Sequence, residues 1–208
     1  MFNVENTILE GTNSGEYLEY LLNLLGAKPE LKDEVTQIVE SVFGQDKAVM
    51  ILDMSGFCRK TQSEGIVQVL SIIFQMRNII QPFIEADNGK LIKSEADNLF
   101  CIFDSVSDAI CASRNINEFL AERNKTTDED CQLFVSIGIG YGQILNIENR
   151  DLFGNEVNLA SKLSEDIGCK GDILLTQNAL DQLKQTETIV LEKTIEISGV
   201  SLNYHLIS

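Results

Sequence analysis

Residues Ala48–Phe57 read AVMILDMSGF, an apolar run that stops at one carboxylate and then turns through Ser55 and Gly56. Val49, Met50, Ile51 and Leu52 are too few for a buried helix and are followed at once by turn residues, so the run reads as a buried strand. Asp53 then stands at a strand end. A carboxylate there, followed by small residues that let backbone amides approach an anion, can hold a divalent cation and a polyphosphate together. The alternative on this stretch alone is a strand-to-helix turn in which Asp53 caps the next helix.

Two other segments bear on that choice. Lys90–Phe103, KLIKSEADNLFCIF, reads as a hairpin with Leu91 and Ile92 on one side, a polar turn around Ser94–Asn98, and the apolar run Leu99–Phe103 on the other. Asp97 lies at its turn. Asp151–Leu163, DLFGNEVNLASKL, ends in an amphipathic helical pattern in which Asn158 and Lys162, four apart, share a face.

The rest of the chain supplies a frame for these segments. Residues 1–14 read as a loosely fixed tail, Gly15–Leu25 as a Leu- and Tyr-rich helix ending at Gly26, and Leu31–Val42 as a second helix with one apolar stripe, closing near Gly44. Those two helices either pack on the following domain or form a dimerising, signal-transmitting lead-in. Gly65–Phe83 reads as a long helix stopped near Pro82, and Val106–Leu120 as another. Leu133–Ile139 alternates as a strand should, Gly142–Ile147 is a strand after a turn, and Ala179–Lys184 is a short helix. Ile189–Ile197 and Ser201–Ile207 are closing strands. This order predicts a mixed α/β (α+β) fold with helices packed on a largely antiparallel sheet.

Composition narrows the function. Thirty-two acidic against 16 basic residues in 208 give a net charge of -16, which argues against unspecific binding to nucleic acid or to anionic membranes. Metal cations, and whatever they escort, are the expected charged ligands. The five cysteines are odd in number and lack a Cys-x-x-Cys spacing, so neither a zinc site nor a disulfide frame is indicated and a reducing cytoplasm is expected. No apolar run approaches a membrane span, and the N-terminus lacks a basic stretch before an apolar one. His205, the one histidine, reads as structural.

Taken together, the three segments resemble the class III nucleotidyl cyclase catalytic domain. The family's strand, Asp and Gly-Phe pattern is matched by Asp53, Gly56 and Phe57; its hairpin Lys and Asp by Lys93 and Asp97; its signature helix by Asp151, Gly154, Val157, Asn158, Ala160, Ser161 and Lys162. Ser136–Gly142, SIGIGYG, is similar to the family's Gly-Ile strand and turn, and Gly168–Leu175, GCKGDILL, to the Gly-rich turn and strand after the signature helix. The resemblance covers roughly residues 46 to 207 in family order. It implies a ferredoxin-like, palm-type catalytic domain over 46–208, preceded by a helical extension over 1–45.

The resemblance also implies a chemistry. Asp53, Asp97 and the main-chain carbonyl of Met54 would be ligands of two Mg2+ or Mn2+ ions, and amides near Gly56 and Phe57 would contact phosphate. Lys93 and Asp151 match the family's adenine-reading pair, so ATP is the expected substrate and cyclic AMP with pyrophosphate the products. Without the other motifs, Lys93 reads equally as a solvated strand lysine and Asp151 as a turn residue or helix cap. Asn158 would orient the ribose, and Lys162 stands where the family has a transition-state Arg. The expected assembly is a homodimer, with an upstream regulator acting through the N-terminal helices. Several positions depart from the pattern: Lys162 for Arg, Ala96 for the Gly before the second acid, a short segment between Gly142 and Asp151 with Arg150 out of place, and no Lys after Gly199. The alternative reading is therefore a weak or inactive cyclase-like nucleotide-binding or regulatory module. Glu95 has no family counterpart and is expected to face solvent.

Overall fold

The computed structural model describes residues 12–55, 65–129, 132–183, 189–197 and 200–207. Gly56, Phe57, Cys58, Cys131, Lys184 and Gly199 lie outside them. The elements run α1 (Gly15–Ala27), a 3-10 turn (Pro29–Leu31), α2 (Lys32–Phe43), β1 (Gly44–Ser55), α3 (Ile66–Ala86), β2 (Lys90–Glu95), β3 (Asn98–Phe103) and α4 (Val106–Asn124). They continue with β4 (Phe134–Ile147), β5 (Asp151–Phe153), α5 (Asn155–Lys162), a π-helical turn (Leu163–Ile167), β6 (Ile173–Thr176), α6 (Gln177–Asp181), β7 (Ile189–Ile197) and β8 (Val200–Ile207).

One eight-stranded sheet has the order β2-β3-β1-β4-β6-β8-β7, with β5 paired to β4. Its pairs are antiparallel except β4 with β6, which is the largely antiparallel mixed sheet that the sequence predicts. β1 is central because its apolar residues alternate between two cores. Ala48, Met50, Leu52 and Met54 face α3 and α4, meeting Met76, Ile80, Ile110 and Ile116 among others. Val49 and Ile51 face α5, meeting Val157 and Ala160. A strand buried on both faces reads as a continuous apolar run, and that is why AVMIL shows no alternation.

Three expectations need correction. The long helix does not stop at Pro82 but runs through it to Ala86. Ile80 and Ile84, both fully buried, hold the helix to the core on either side of the ring, and this packing outweighs the lost amide donor. Nor does SIGIGYG turn: Phe134–Ile147 is one unbroken strand. Its glycines serve packing instead, as described below. Finally, the end of the N-terminal tail is fixed. Asn13 donates to the Asn146 carbonyl at 2.8 Å and accepts from the Glu148 amide at 2.8 Å, and Ser14 caps α1 through the Tyr17 amide.

α1 and α2 form their own small core of Leu21, Val35, Val39 and Phe43, closed by Ile147 at the end of β4. They thus sit at the β4–β5 hairpin, whose turn places Glu148 and Asn149 at φ 53 and 54. His205 is buried, with Nε2 2.9 Å from Gln177 Oε1, in a structural role. Cys101, Cys111 and Cys169 are free thiols.

Candidate active site

The sheet face toward α5 is apolar until β1 reaches Asp53, where a polar row begins. In register, Asp53 stands opposite Asn98 on β3 and Ser136 on β4, and Asn98 stands opposite Glu95 on β2. Residues directly opposite project to one face, so Glu95, Asn98, Asp53 and Ser136 form a row across four strands. The adjacent row is Lys93, Phe100, Ile51 and Gly138. The site is built where the buried apolar rows give way to polar ones.

The β2–β3 turn brings the second acid to the first. Ala96 takes φ 49, a left-handed conformation that the missing glycine would adopt without strain. The Met54 amide donates to the Asp97 carbonyl at 3.2 Å, tying the hairpin tip to the strand end beside Asp53. The Met54 side chain packs into the opposite core, so Met54 can offer the site only main-chain atoms.

Burial, then the charges of Asp97 and Glu165, push the Asp53 carboxyl up to about 6. Glu165, on the π-helical turn, is itself raised by burial, Asp166, Asp97 and Glu95, against an opposing pull from Lys162. Such mutual repulsion is what a divalent cation relieves. Among the described residues no three His, Cys, Asp or Glu side chains come close enough to hold a metal by themselves, so an ion here would draw on main-chain oxygen, water or phosphate as well. The donors nonetheless suit a hard cation. Asp53 and Asp97 offer carboxylates, and Asn98 Oδ1 and Ser136 Oγ, in the same row as Asp53, are buried oxygens with no hydrogen-bond partner.

Lys93 and Asp151 meet in a second cluster. Lys93 Nζ is 2.7 Å from Asp151 Oδ1 and 2.8 Å from Glu95 Oε1, and it lies 4.5 Å from the centre of the Phe100 ring. Burial pulls the Lys93 pKa down, but hydrogen bonds to Asp151 and Glu95 and their charges outweigh it, and the net shift is upward. Asp151 Oδ1 also accepts the Leu152 amide at 2.8 Å, which fixes its rotamer. Glu95 therefore does not simply face solvent; it is exposed, yet paired to Lys93, because two residues along a strand return to the same face.

Asn158 and Lys162 are on α5, whose seat on the sheet depends on β4 glycines. A Cβ at Gly138 would stand 2.1 Å from the Ala160 carbonyl oxygen, and one at Gly140 2.9 Å from that of Glu156. Glu156 is buried and locks the helix: it accepts from the Tyr141 amide at 3.2 Å, the Thr176 hydroxyl at 2.7 Å and the Asn178 amide at 2.8 Å. Asn158 is exposed and Lys162 half-buried. Among the described residues neither bonds to Asp53, Asp97, Lys93 or Asp151. One chain thus brings together Asp53 with Asp97 and Lys93 with Asp151, and Lys162 reaches the acids only through its charge on Glu165. Gly56 and Phe57 fall outside the described residues. Glu95, Asn98, Ser136 and Glu165 were not legible beside these residues, since strand register and the π-turn place them.

Comparison with known proteins gives the family and the fold. A protein of Rhizobium meliloti named "Putative adenylate cyclase 3" is 23% identical over 124 residues, which is 60% of this chain and 21% of that protein. An uncharacterized protein of Mycobacterium tuberculosis is 27% identical over 149 residues, 69% of this chain and 37% of that one. The chain thus spans only about a fifth to two fifths of the length of these curated relatives. Among solved structures, the adenylate/guanylate cyclase/hydrolase of Silicibacter pomeroyi superposes with a TM-score of 0.62 at 23% identity, covering 79% of this chain and 96% of that one. The adenylyl cyclase CyaB of P. aeruginosa gives 0.61 at 19% identity, covering 79% and 95%. At these identities the likeness shows the fold. Residues 41–208 match the family described as adenylate and guanylate cyclase catalytic domain, and the chain belongs to that family.

Proposed function

We propose that the chain is an adenylate cyclase, converting ATP to 3',5'-cyclic AMP and pyrophosphate at a homodimer interface. The observation that carries this reading is the Lys93–Asp151 contact of 2.7 Å. An ammonium can donate to adenine N1 while the neighbouring carboxylate accepts from the 6-amino group.

Asp53, Asp97 and the Met54 carbonyl would hold two Mg2+ or Mn2+ ions, and the amides of Gly56 and Phe57 would contact phosphate. When bound, those ions lower the pKa of the attacking hydroxyl and neutralise phosphate charge. In the reaction the ribose 3'-oxygen bonds to the α-phosphorus, the bond to the α–β bridging oxygen breaks, and pyrophosphate leaves. The hydroxyl proton passes to solvent. Asn158 would orient the ribose and Lys162 would offset charge on the phosphates. Each site would take its carboxylates from one subunit and Lys93, Asp151, Asn158 and Lys162 from the other.

Residues 1–45 form, in this reading, an extension through which an upstream regulator acts. Its contacts support that role: Asn13 and the Gly15 amide bond to the β4–β5 hairpin, which leads directly to Asp151. A cytoplasmic location is consistent with the free thiols and with the lack of any described helix long and apolar enough to cross a membrane.

One observation favours the alternative of a weak or inactive cyclase-like module. Lys162 partly opposes the upward shift of the Glu165 carboxyl, so the charge assigned to phosphate has an acid beside it. The discriminating experiment is incubation of the purified dimer with ATP or GTP and Mn2+ or Mg2+, with detection of cyclic product. Cyclic AMP formation supports the enzyme; nucleotide binding without any cyclic product would establish the module instead.

A further inference from the structure

Lys93 is held between two carboxylates, although a donor–acceptor pair suffices to read adenine. Its ammonium has three N–H donors. One goes to Asp151 and one to Glu95, at 2.7 and 2.8 Å, which leaves one for a ligand. The Lys93 side chain is 19% exposed, those of Asp151 and Glu95 40% and 60%, so both carboxylates open outward from a lysine seated against Phe100. The backbone amide of Leu152 fixes Asp151, whereas Glu95 is held by the flexible lysine.

We propose that Glu95 is a specificity-determining residue that equips the base-reading site for guanine as well as adenine. The adenine edge presents one acceptor, N1, beside the 6-amino donor. The guanine edge presents one acceptor, O6, beside two donors, N1–H and the 2-amino group. A donor flanked by two acceptors serves either edge. Lys93 with Asp151 satisfies adenine; Lys93 to O6, with Glu95 accepting N1–H and the 2-amino group through its two oxygens, satisfies guanine. The net charge of one lysine against two carboxylates is negative, which suits the edge with more donors. The strand spacing that puts Glu95 on the Lys93 face also leaves it free to swing toward a ligand once the base takes up the ammonium.

This inference rests on Lys93 being the base reader, and the test separates the two. Binding of 3'-deoxy-ATP and 3'-deoxy-GTP, which cannot cyclise, is measured by calorimetry with Mn2+ for the full chain and for Glu95→Ala and Lys93→Ala; kcat/KM for ATP and GTP is measured alongside. The expected result is that the unaltered protein binds both nucleotides and that Glu95→Ala lowers the guanine-over-adenine affinity ratio by about tenfold or more. An unchanged ratio would overturn the proposal and leave Glu95 as a support for Lys93. No binding of 3'-deoxy-GTP by the unaltered protein would overturn it as well. Unchanged binding of both nucleotides by Lys93→Ala would overturn the base-site assignment itself, and the proposal with it.

Discussion

Gly138 on β4 lies directly under Ala160 on α5, so closely that a Cβ would stand 2.1 Å from the Ala160 carbonyl oxygen. The obstacle is helix backbone, which cannot rotate aside as a side chain can. α5 carries Asn158 and Lys162, and its height above the sheet is thus set by a hydrogen atom on Gly138.

Gly138→Ala is expected to lift α5 and to destabilise the fold by about 3 kcal/mol, the upper part of the range for overpacked cores. In a domain of this size that lowers Tm by roughly 6–12 °C. Thermal denaturation checks the loss. An unchanged Tm would mean that α5 is not seated on β4 as described.

Asp53 ties stability to pH. Its carboxyl is pushed up to about 6 from 3.8, chiefly by burial. A raised carboxylate pKa means that the folded state resists ionisation: the penalty is absent below about pH 4, grows as pH rises toward 6, and is complete above it. Asp53→Asn removes the penalty. At pH 7.5 it should gain about 1–2 kcal/mol, after allowing for solvent screening of a half-buried group, and raise Tm by roughly 3 °C or more. The gain should vanish near pH 4. Saturating Mn2+ should raise the Tm of the unaltered protein at pH 7.5 but not that of the variant, and Mn2+ binding should weaken as pH falls below about 6, where the proton competes. A variant no more stable at pH 7.5 than at pH 4, relative to the parent, would contradict the burial account.

How far the sequence led can be followed along one sheet row. The apolar run ending at Asp53 was legible because a strand buried on both faces reads as an unbroken apolar run, whereas Lys93 and Asp97 stood out only through the resemblance to the family's hairpin. Their neighbours were not. Asn98 and Ser136 lie opposite Asp53 through strand register, which pairing between distant segments decides. The glycines of SIGIGYG read as a turn, since glycine signals both turns and close approaches, and only the packed α5 shows which applies. Pro82 misled for a related reason: a local helix breaker was overruled by burial on both sides of it. Nothing local in the sequence marks Glu156, yet it is buried against partners from β4 and the β6–α6 segment.

The proposed shared-site assembly makes a sharp prediction for mixed subunits. Asp53→Ala and Asn158→Ala should each abolish cyclase activity as homodimers, since every site would lack a carboxylate or the ribose contact. A heterodimer of the two places both defects in one site and leaves the other whole. Mixing should therefore restore about a quarter of the parent activity, as half of the randomly formed dimers are mixed and each has one of two sites intact. Measuring product after subunit exchange, with mixed dimers confirmed by differential tagging, decides the matter. No recovery would place all the catalytic groups within one subunit.

In the proposed reading Lys162 stands where the family has an Arg, and its surroundings define what its charge can do. It ends α5 just before the π-helical turn that carries Glu165, whose upward shift it partly opposes. If that charge acts on the phosphates as the α-phosphorus becomes five-coordinate, Lys162→Ala should lower kcat with little change in KM. A loss of about 10²-fold is expected for removing one charged donor of this kind. Lys162→Arg should preserve or raise kcat, because a planar fork can reach phosphate oxygens while still facing Glu165. Glu165→Gln adds an independent arm: freeing Lys162 from its carboxylate neighbour should raise the rate in the lysine enzyme and have less effect in the arginine variant. Steady-state kinetics on the three single variants and on the Lys162→Arg/Glu165→Gln double variant check this. Should Lys162→Ala turn over like the parent, the residue serves only to offset the acids around Asp53, and its effect would then be read in the Mn2+ affinity rather than in kcat.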